Sequence, residues 1–332
     1  MTQQREPQRG AARVTRADVA KRAGVSTAVV SYTLNGTKKV SEATQARVLE
    51  AVRALGYRPN AAARALKLGS MAQLGLIVPG VLNRFFADLT DQVEQVAAAH
   101  GLALMVTSAR HGMASAIGHL AARQVDGVLI ATDVEAADLT PLATLGIPAV
   151  VLEKRLDGVA CVRADRYQGA RVAVEHLLWH GHRRVAFVGP NEGGRRQAWI
   201  DASSAAGLAA EPMVTSDFTR EGGYRAGAAL AAAPDRPTAV FVSSDEQAIG
   251  VLLALHEAGV RVPDDIAVAS FDGSQESAYC WPPLTTAAQP LAAMVRIAVD
   301  HLVAPGSGPL DVKLPTELIV RSSCGCAPST AA

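Results

Sequence analysis

A pair of short helices whose starts and stops are both written into the sequence lies between Thr15 and Gly36, and it leaves this end of the chain little freedom. Thr15 with Asp18 three residues on is a capping-box start, which predicts a helix from about Arg16 to Ala23 with Val19 and Ala20 turned inward. Gly24 ends it. Ser26 then caps a second helix in which Val30 and Leu34 share the inner face, and Asn35-Gly36 tolerates a left-handed stop. A turn this tight predicts a helix-turn-helix, whose second helix enters the major groove of a duplex by its N-terminal end. At roughly 100° per residue, Ala28, Ser31 and Tyr32 point away from Val30 and Leu34, while Thr27 sits in the exposed first turn. These four are the candidate base readers. A thymine methyl packs on Ala28 or the Thr27 methyl, the Thr27 and Ser31 hydroxyls reach base edges or phosphates, and Tyr32 adds a hydroxyl on a flat ring. Val25, Val30 and Leu34 would equally suit any small helical core, so the pattern alone leaves that reading open.

The residues beyond Gly36 narrow the choice. Ser41 starts a third helix, Ala43 to Leu55, with Val48, Val52 and Leu55 at helical spacing and Gly56 as its stop. After Tyr57-Arg58-Pro59, the run from Asn60 to Lys67 begins with a good cap and is rich in alanine, yet it is far shorter than the roughly 12 to 15 residues an isolated helix needs in water. It is expected to be loose until held. Leu66, flanked by Arg64 and Lys67, has the makeup of a minor-groove wedge whose cations rest on phosphates; an alanine-rich linker with an incidental leucine is the alternative. Charge agrees with the nucleic-acid reading. Residues 1–70 carry 13 Lys and Arg against 4 Asp and Glu, whereas the remainder carries 19 against 27, so a basic end precedes an acidic body.

From about residue 71 the pattern alternates strand and helix. Buried strands are expected at Gln73 to Pro79, Leu102 to Ser108, Asp126 to Thr132 and Ile147 to Glu153, with helices near 84–100 and 113–124. A second series begins after Ala164-Asp165: helices over Gln168 to Trp179, 196–206 and Tyr224 to Ala232, and strands over Arg184 to Gly189, Ala239 to Ser244 and Ile266 to Phe271 with a helix between the last two. A helix near 291–303 and one strand from Leu314 to Ser322 complete the chain. The pattern predicts two doubly wound lobes behind an all-α headpiece. Ligands of open parallel sheets sit beyond the carboxyl ends of the strands, which selects Phe85 and Phe86 within the 83–86 turn, Ser108, Thr132, Glu153, Pro190, Ser244, Asp245 and the Phe271-Asp272 step as rims of a cleft.

Other chemistry finds little support. The first twelve residues are polar and basic without an apolar export segment, and no run is long enough to span a membrane, so a cytoplasmic protein is expected. Cys161, Cys280, Cys324 and Cys326 are too scattered for a disulfide framework, and reduced thiols are the default. His176, His180 and His182 invite a metal reading because the first two share a helical face. The third would lie past the Gly181 stop, no carboxylate completes the group, and Cys-x-Cys lacks paired zinc-ligand spacing, so no metal and no cofactor are expected. No dinucleotide-binding glycine motif, P-loop or nucleophile elbow is present, and catalysis is not indicated.

The run from Thr15 to Lys67 resembles the headpiece and hinge of the LacI/GalR family of bacterial transcriptional regulators. The likeness is carried by Asp18-Val19-Ala20, Ala23-Gly24-Val25-Ser26, Val30-Ser31, Leu34-Asn35, Gly56-Tyr57, Pro59-Asn60 and Ala63-Arg64-Ala65-Leu66. The segment from 72 to 322 resembles the periplasmic-binding-protein-like effector domain of the same family. Phe85-Phe86, Glu175-His176-Leu177, Gly181-His182-Arg183-Arg184, Asp245, Val262-Pro263, Asp272 and Pro283-Leu284-Thr285-Thr286 stand in the family's order. The polar, basic residues 1–12 are expected to form a disordered basic arm, and the resemblance implies a DNA-binding headpiece over 13–59, a hinge helix and linker over 60–70, and an effector-binding and dimerisation domain over 71–332. Its N-lobe would take about 71–165 plus 290–310, and its C-lobe about 166–289 plus 311–326.

By the same resemblance Thr27, Ala28 and Tyr32 occupy base-contacting positions, with Tyr32 where arginine or histidine is common, and Leu66 occupies the intercalating position. Effector contacts fall on Glu153, Arg195, Phe218, Ser244, Asp245, Asp272 and Gln289, a set suited to a sugar or another small polar ring. The function implied is a repressor, acting as a homodimer on a pseudo-palindromic operator and controlled by that effector. Without leucine heptads near Ala332, a dimer is expected and not a helically tethered tetramer. An uptake solute-binding protein shares the two-lobed fold but has no use for the headpiece, and a dehydrogenase-like enzyme would need a cofactor loop.

Overall fold

Thr15 starts the first helix by a reciprocal bond: its backbone N–H donates to Asp18 Oδ2 at 2.8 Å, and the Asp18 N–H donates to Thr15 Oγ1 at 3.4 Å. The computed structural model describes residues 14–36, 38–57, 70–306 and 310–327. Residues 1–71 and 72–332 form two units. In the first, α1 (Arg16–Ala23), α2 (Thr27–Asn35) and α3 (Glu42–Leu55) begin at the side-chain caps Thr15, Ser26 and Ser41. Val19, Ala20, Ala23, Val30, Val48, Ala51 and Tyr57 form their common core. Gly24 stops α1 at φ +62°, a conformation that a side-chain-bearing residue seldom takes, and this lets α2 start within three residues. The proposed arm over 1–12 and the hinge positions Asn60, Arg64, Leu66 and Lys67 lie outside the described residues.

The second unit runs β1 (Gln73–Val78), α4 (Arg84–Ala99), β2 (Ala103–Ser108), α5 (Met113–Ala121), β3 (Gly127–Ile130), α6 (Thr140–Thr144), β4 (Ala149–Leu152) and β5 (Ala160–Ala164). It continues through α7 (Arg166–Trp179), β6 (Val185–Gly189), α8 (Gly194–Ala205), β7 (Met213–Thr215), α9 (Arg220–Ala232), β8 (Ala239–Val242), α10 (Asp245–Glu257), β9 (Ala267–Asp272) and β10 (Thr285–Ala288). The chain closes with α11 (Leu291–Val303), β11 (Asp311–Leu314) and β12 (Glu317–Ile319). Two six-stranded sheets result, ordered β11-β5-β4-β3-β1-β2 and β12-β10-β9-β8-β6-β7. Every pairing is parallel except β10 with β12.

Both faces of each sheet are covered, which is why the strands read as near-continuous apolar runs. In β1, Leu74, Leu76 and Val78 pack with Leu89 and Val93 of α4 and with Val295 and Val299 of α11, while Ile77 points the other way onto Ile117 and Leu120 of α5. Each such side chain, fully buried, contributes roughly 1.5–3 kcal/mol to stability. In the second sheet Phe187, Phe241 and Phe271 join Trp199 on one face, and Val188, Val240 and Val242 join Leu230 and Leu255 on the other.

Among the described residues the chain passes between lobes three times. Asp165 makes the first crossing and caps α7 by accepting from Gln168 N–H at 3.1 Å, and it pairs with Lys313 at 2.6 Å. The second precedes α11, whose apolar face joins the first lobe's core. The third corrects the single strand expected from Leu314 to Ser322. Pro315, with no N–H for a ladder, separates two strands: β11 ends at Leu314, where the expected strand began, and pairs β5 in the first sheet, while β12, within the expected span, pairs β10 in the second. Residues 311–314 therefore belong with the first lobe, not with the second as the expected 311–326 segment had it. Thr316 is held at the crossing by Gln168 Oε1, which accepts from its N–H at 3.1 Å and its hydroxyl at 2.7 Å. Strands β5, β7, β10 and β11 were not expected; all are short, and β5 and β10 are built largely of small or polar residues.

Candidate functional site

In the headpiece, the N-terminus of α2 is open to solvent. Thr27 and Ala28 are exposed there, Ser31 and Tyr32 are half-buried on the same side, and Val30 is fully enclosed. No acidic residue stands in the first turn of α2, so no carboxylate offsets the positive end of its dipole. Ser31 Oγ accepts from Asn35 Nδ2 at 3.2 Å, and Lys38 Nζ lies 5.1 Å from the Tyr32 ring centroid, so both expected readers have neighbours that orient them.

The second unit holds a cavity of about 520 Å³ between its two sheets. Two strand ends define it. Glu153 follows β4 and Asp272 closes β9, and both have left-handed φ, +101° and +121°. Such a backbone costs on the order of 1–3 kcal/mol at a non-glycine residue and persists only where the surroundings hold it. Each carboxylate is held by an arginine. Arg166 Nη1 donates to Glu153 Oε2 at 3.1 Å and its Nη2 donates to the Glu153 carbonyl, joining the lobes at the crossing. Arg195 Nη2 donates to Asp272 Oδ1 at 3.3 Å, and Gln289 Nε2 donates to the same oxygen at 3.0 Å.

Burial pushes the Asp272 carboxyl up to about 8, against the opposing pull of Arg195. The Arg195 guanidinium lies 4.1 Å from the Phe271 ring centroid and 5.6 Å from that of Phe218, and its Nε is buried with no partner among the described residues. Phe85 and Phe86, packed edge to face at 5.2 Å, supply apolar wall from the first lobe, and Phe218, 43% exposed, supplies it from the second.

Of the expected effector residues, Phe85, Phe86, Glu153, Arg195, Phe218, Asp272 and Gln289 line this cavity. Ser244 and Asp245 do not. Ser244 caps α10, accepting from Gln247 N–H at 3.2 Å. Asp245 is buried and accepts from the Ser270 hydroxyl at 2.5 Å, the Thr286 hydroxyl at 2.7 Å, and the Ser274 N–H and hydroxyl at 2.7 and 2.9 Å. Ser270 and Ser274 bracket Asp272, so Asp245 buttresses the bend from behind. Arg166 is a lining residue that the sequence reading missed: the strand-end rule points to loops, and Arg166 opens a helix. Its only local signal is position, one residue past the cap Asp165.

The histidines separate differently from the sequence expectation. His182 Nδ1 lies 3.0 Å from Thr238 Oγ1, away from the other two. His176 and His180 meet the two C-terminal cysteines instead, with Nε2–Sγ distances of 3.2 Å to Cys324 and 3.1 Å to Cys326. Among the described residues no helix is long and apolar enough to cross a membrane.

Similarity to known proteins divides along the same two units. The family described as bacterial regulatory proteins, lacI family, matches residues 15–60, and the periplasmic binding protein-like domain matches residues 174–324. The HTH-type transcriptional repressor PurR of Edwardsiella ictaluri is 34% identical over 303 residues, covering 86% of this chain and 88% of its own length. A lac repressor dimer bound to operator and the anti-inducer ONPF superposes with a TM-score of 0.79 at 26% identity, over 94% of this chain and 99% of that one. A LacI family transcriptional regulator from Lactobacillus casei with bound glucose is 34% identical with a TM-score of 0.67, over 76% of this chain and 99% of that one.

Proposed function

The chain belongs to the lacI family of bacterial regulatory proteins, and we propose that its operator affinity is set by a small polar effector, a sugar or close relative, bound between the two lobes. It is a DNA-binding transcriptional repressor under effector control. The effector role of the cleft rests chiefly on the Arg195–Asp272 pair: a buried fork and carboxylate beside the Phe218 ring recognise adjacent hydroxyls on a ring with one apolar side. Glu153, Arg166 and Gln289 add acceptors and donors around the same space, and Phe85, Phe86 and Phe218 cover the ring faces. The glucose held by the Lactobacillus casei regulator supports a sugar as the ligand class.

On the DNA side, Thr27, Ala28, Ser31 and Tyr32 are the proposed base readers, and Asn60, Arg64, Leu66 and Lys67 the proposed hinge contacts. The protein acts as a homodimer, so that two headpieces meet the half-sites of a pseudo-palindrome, as the operator-bound lac repressor dimer suggests. Its place of action is the cytoplasm, and no reaction is assigned to it. Coupling requires only that closure of the lobes differ in free energy between operator-bound and free protein; about 1–3 kcal/mol shifts affinity 5- to 150-fold. Selection of genomic fragments by the purified full chain, then gel-shift titration with and without a panel of monosaccharides and disaccharides, tests the reading. A salt-dependent, fragment-selective complex that responds to a sugar is expected. Equal retention of all fragments, whatever sugar is added, would overturn it. Leu66→Ala should weaken operator binding without changing sugar affinity, and unchanged operator affinity would remove the wedge.

A further inference from the structure

Far from the strand-end cleft, the end of α7 and the turn after β12 bring four side chains of one chemical kind together. His176 and His180 are four residues apart, the second just past the last turn of the helix, and their rings lie 4.8 Å centroid to centroid. Cys324 and Cys326 come from the short turn 322–326, where Gly325 has φ +95°. A left-handed residue between two cysteines reverses the chain, so both sulfurs face the same side; a β-carbon there would be strained. The one ligand atom each residue offers lies within 4.8 Å of all the others. His176 Nε2 is 3.2 Å from Cys324 Sγ and 3.7 Å from Cys326 Sγ, and His180 Nε2 is 3.1 Å from Cys326 Sγ.

We propose that His176, His180, Cys324 and Cys326 form a structural zinc site that pins the C-terminal turn to the end of α7. Two separate Cys–His hydrogen bonds would require only two pairs, whereas here His176 approaches both sulfurs and all four ligand atoms lie within 4.8 Å of one another. Zinc bonds of about 2.0–2.1 Å to nitrogen and about 2.3 Å to sulfur place tetrahedral ligand atoms roughly 3.3–3.8 Å apart; the nitrogen–sulfur contacts here are 3.1, 3.2 and 3.7 Å, and no two of the ligand atoms are farther apart than 4.8 Å, so small side-chain shifts would seat the ion. Two imidazoles and two thiols, with no carboxylate among them, suit zinc and not magnesium or calcium. The Thr285 hydroxyl, 3.1 Å from Cys324 Sγ, is placed to donate to a metal-bound thiolate as an outer partner. Binding is not a redox step: one zinc ion enters, two thiols lose their protons to solvent, and two zinc–sulfur and two zinc–nitrogen bonds form. The ion would join parts of the chain about 150 residues apart in sequence, so its free energy of binding adds to the stability of the second lobe.

The full-length chain, stripped with a chelator under reducing conditions, is titrated with zinc against a chromogenic competitor and separately with cobalt. One zinc per chain is expected, with cobalt giving the visible bands of a tetrahedral thiolate complex. A hundred-fold excess of free zinc over its dissociation constant should raise the thermal midpoint by on the order of 5 to 10 °C. Cys326→Ser and His180→Gln, both at half-buried positions, should each weaken zinc binding by more than about tenfold and abolish most of that rise. The proposal fails if the wild-type chain takes up no zinc, or if either folded variant binds it as tightly as the wild type. Because the stoichiometry is read on the wild-type protein, a variant that does not fold leaves that test standing.

Discussion

Arg195 and Asp272 meet at 3.3 Å in a site where both are almost fully enclosed, and the same guanidinium lies 4.1 Å over the Phe271 ring. One side chain therefore fixes a carboxylate and caps an aromatic residue of the strand that carries it. A buried pair of this kind is weak evidence for stability, since the desolvation of two charges opposes their attraction. It is better understood as preorganisation: the fork is held in place by Asp272 and the Phe271 ring.

The Asp272 carboxyl titrates near 8 in the folded protein against 3.8 for the ordinary value. Between these pH values the folded state holds a proton that the unfolded chain has lost, so this group's contribution to stability is largest below about pH 4, declines as pH rises to about 8, and is flat beyond. The thermal midpoint of wild type relative to Asp272→Asn should fall across that window. Parallel midpoints in the two proteins would show that the carboxyl is not the titrating group.

Asp245 accepts four hydrogen bonds from Ser270, Ser274 and Thr286 without lining the cavity. Asp245→Ala removes the acceptor that these buried neutral donors share, and a loss of roughly 1–3 kcal/mol in folding stability is expected. Sugar affinity should fall as well, because Ser270 and Ser274 flank the Asp272 bend. Denaturant unfolding and calorimetric titration check the two effects; an Asp245→Ala protein of wild-type stability would contradict a buttressing role for this network.

Helices α9 and α10 touch through glycine. A β-carbon on Gly223 would lie 2.0 Å from the Gln247 carbonyl oxygen, and one on Gly250 would lie 2.0 Å from that of Arg220. Backbone cannot swing aside as a side chain can, so Gly223→Ala must push the helices apart. A destabilisation of at least about 1–3 kcal/mol is expected in urea unfolding.

Ser26 caps the recognition helix through a bond from Val29 N–H at 3.3 Å. Ser26→Ala should cost the headpiece about 1 kcal/mol and weaken operator binding through a frayed α2, with sugar affinity untouched. Circular dichroism of thermal unfolding and fluorescence anisotropy on operator DNA measure the two.

Legibility in the sequence tracked the range of the forces. The headpiece helices were readable to within a residue because Thr15, Ser26 and Ser41 act on backbone three residues away, and Gly24, Gly36 and Gly56 on backbone three or four residues away at the other ends. Strands covered on both faces, such as Leu74 to Val78, showed as apolar runs. By contrast β10, Thr285-Thr286-Ala287-Ala288, is a strand only because β9 and β12 flank it. The cleft was partly visible: the strand-end rule reached Glu153 and Asp272, but it could not tell a lining carboxylate from Asp245, which stands at an equivalent place and turns inward. His176 and His180 carried half of a ligand set whose other half, Cys324 and Cys326, is brought in only by the last crossing of the chain.

A ligand in the Arg195–Asp272 cleft is held to tune the grip of the headpiece on its operator. The most direct test is the anisotropy-derived operator Kd of the full chain across a titration of the active sugar, for wild type and for Arg195→Met. A change of about 5- to 150-fold is predicted in the wild type, with loss of that response in the variant. An undiminished response in Arg195→Met, at the same sugar concentrations, would contradict it.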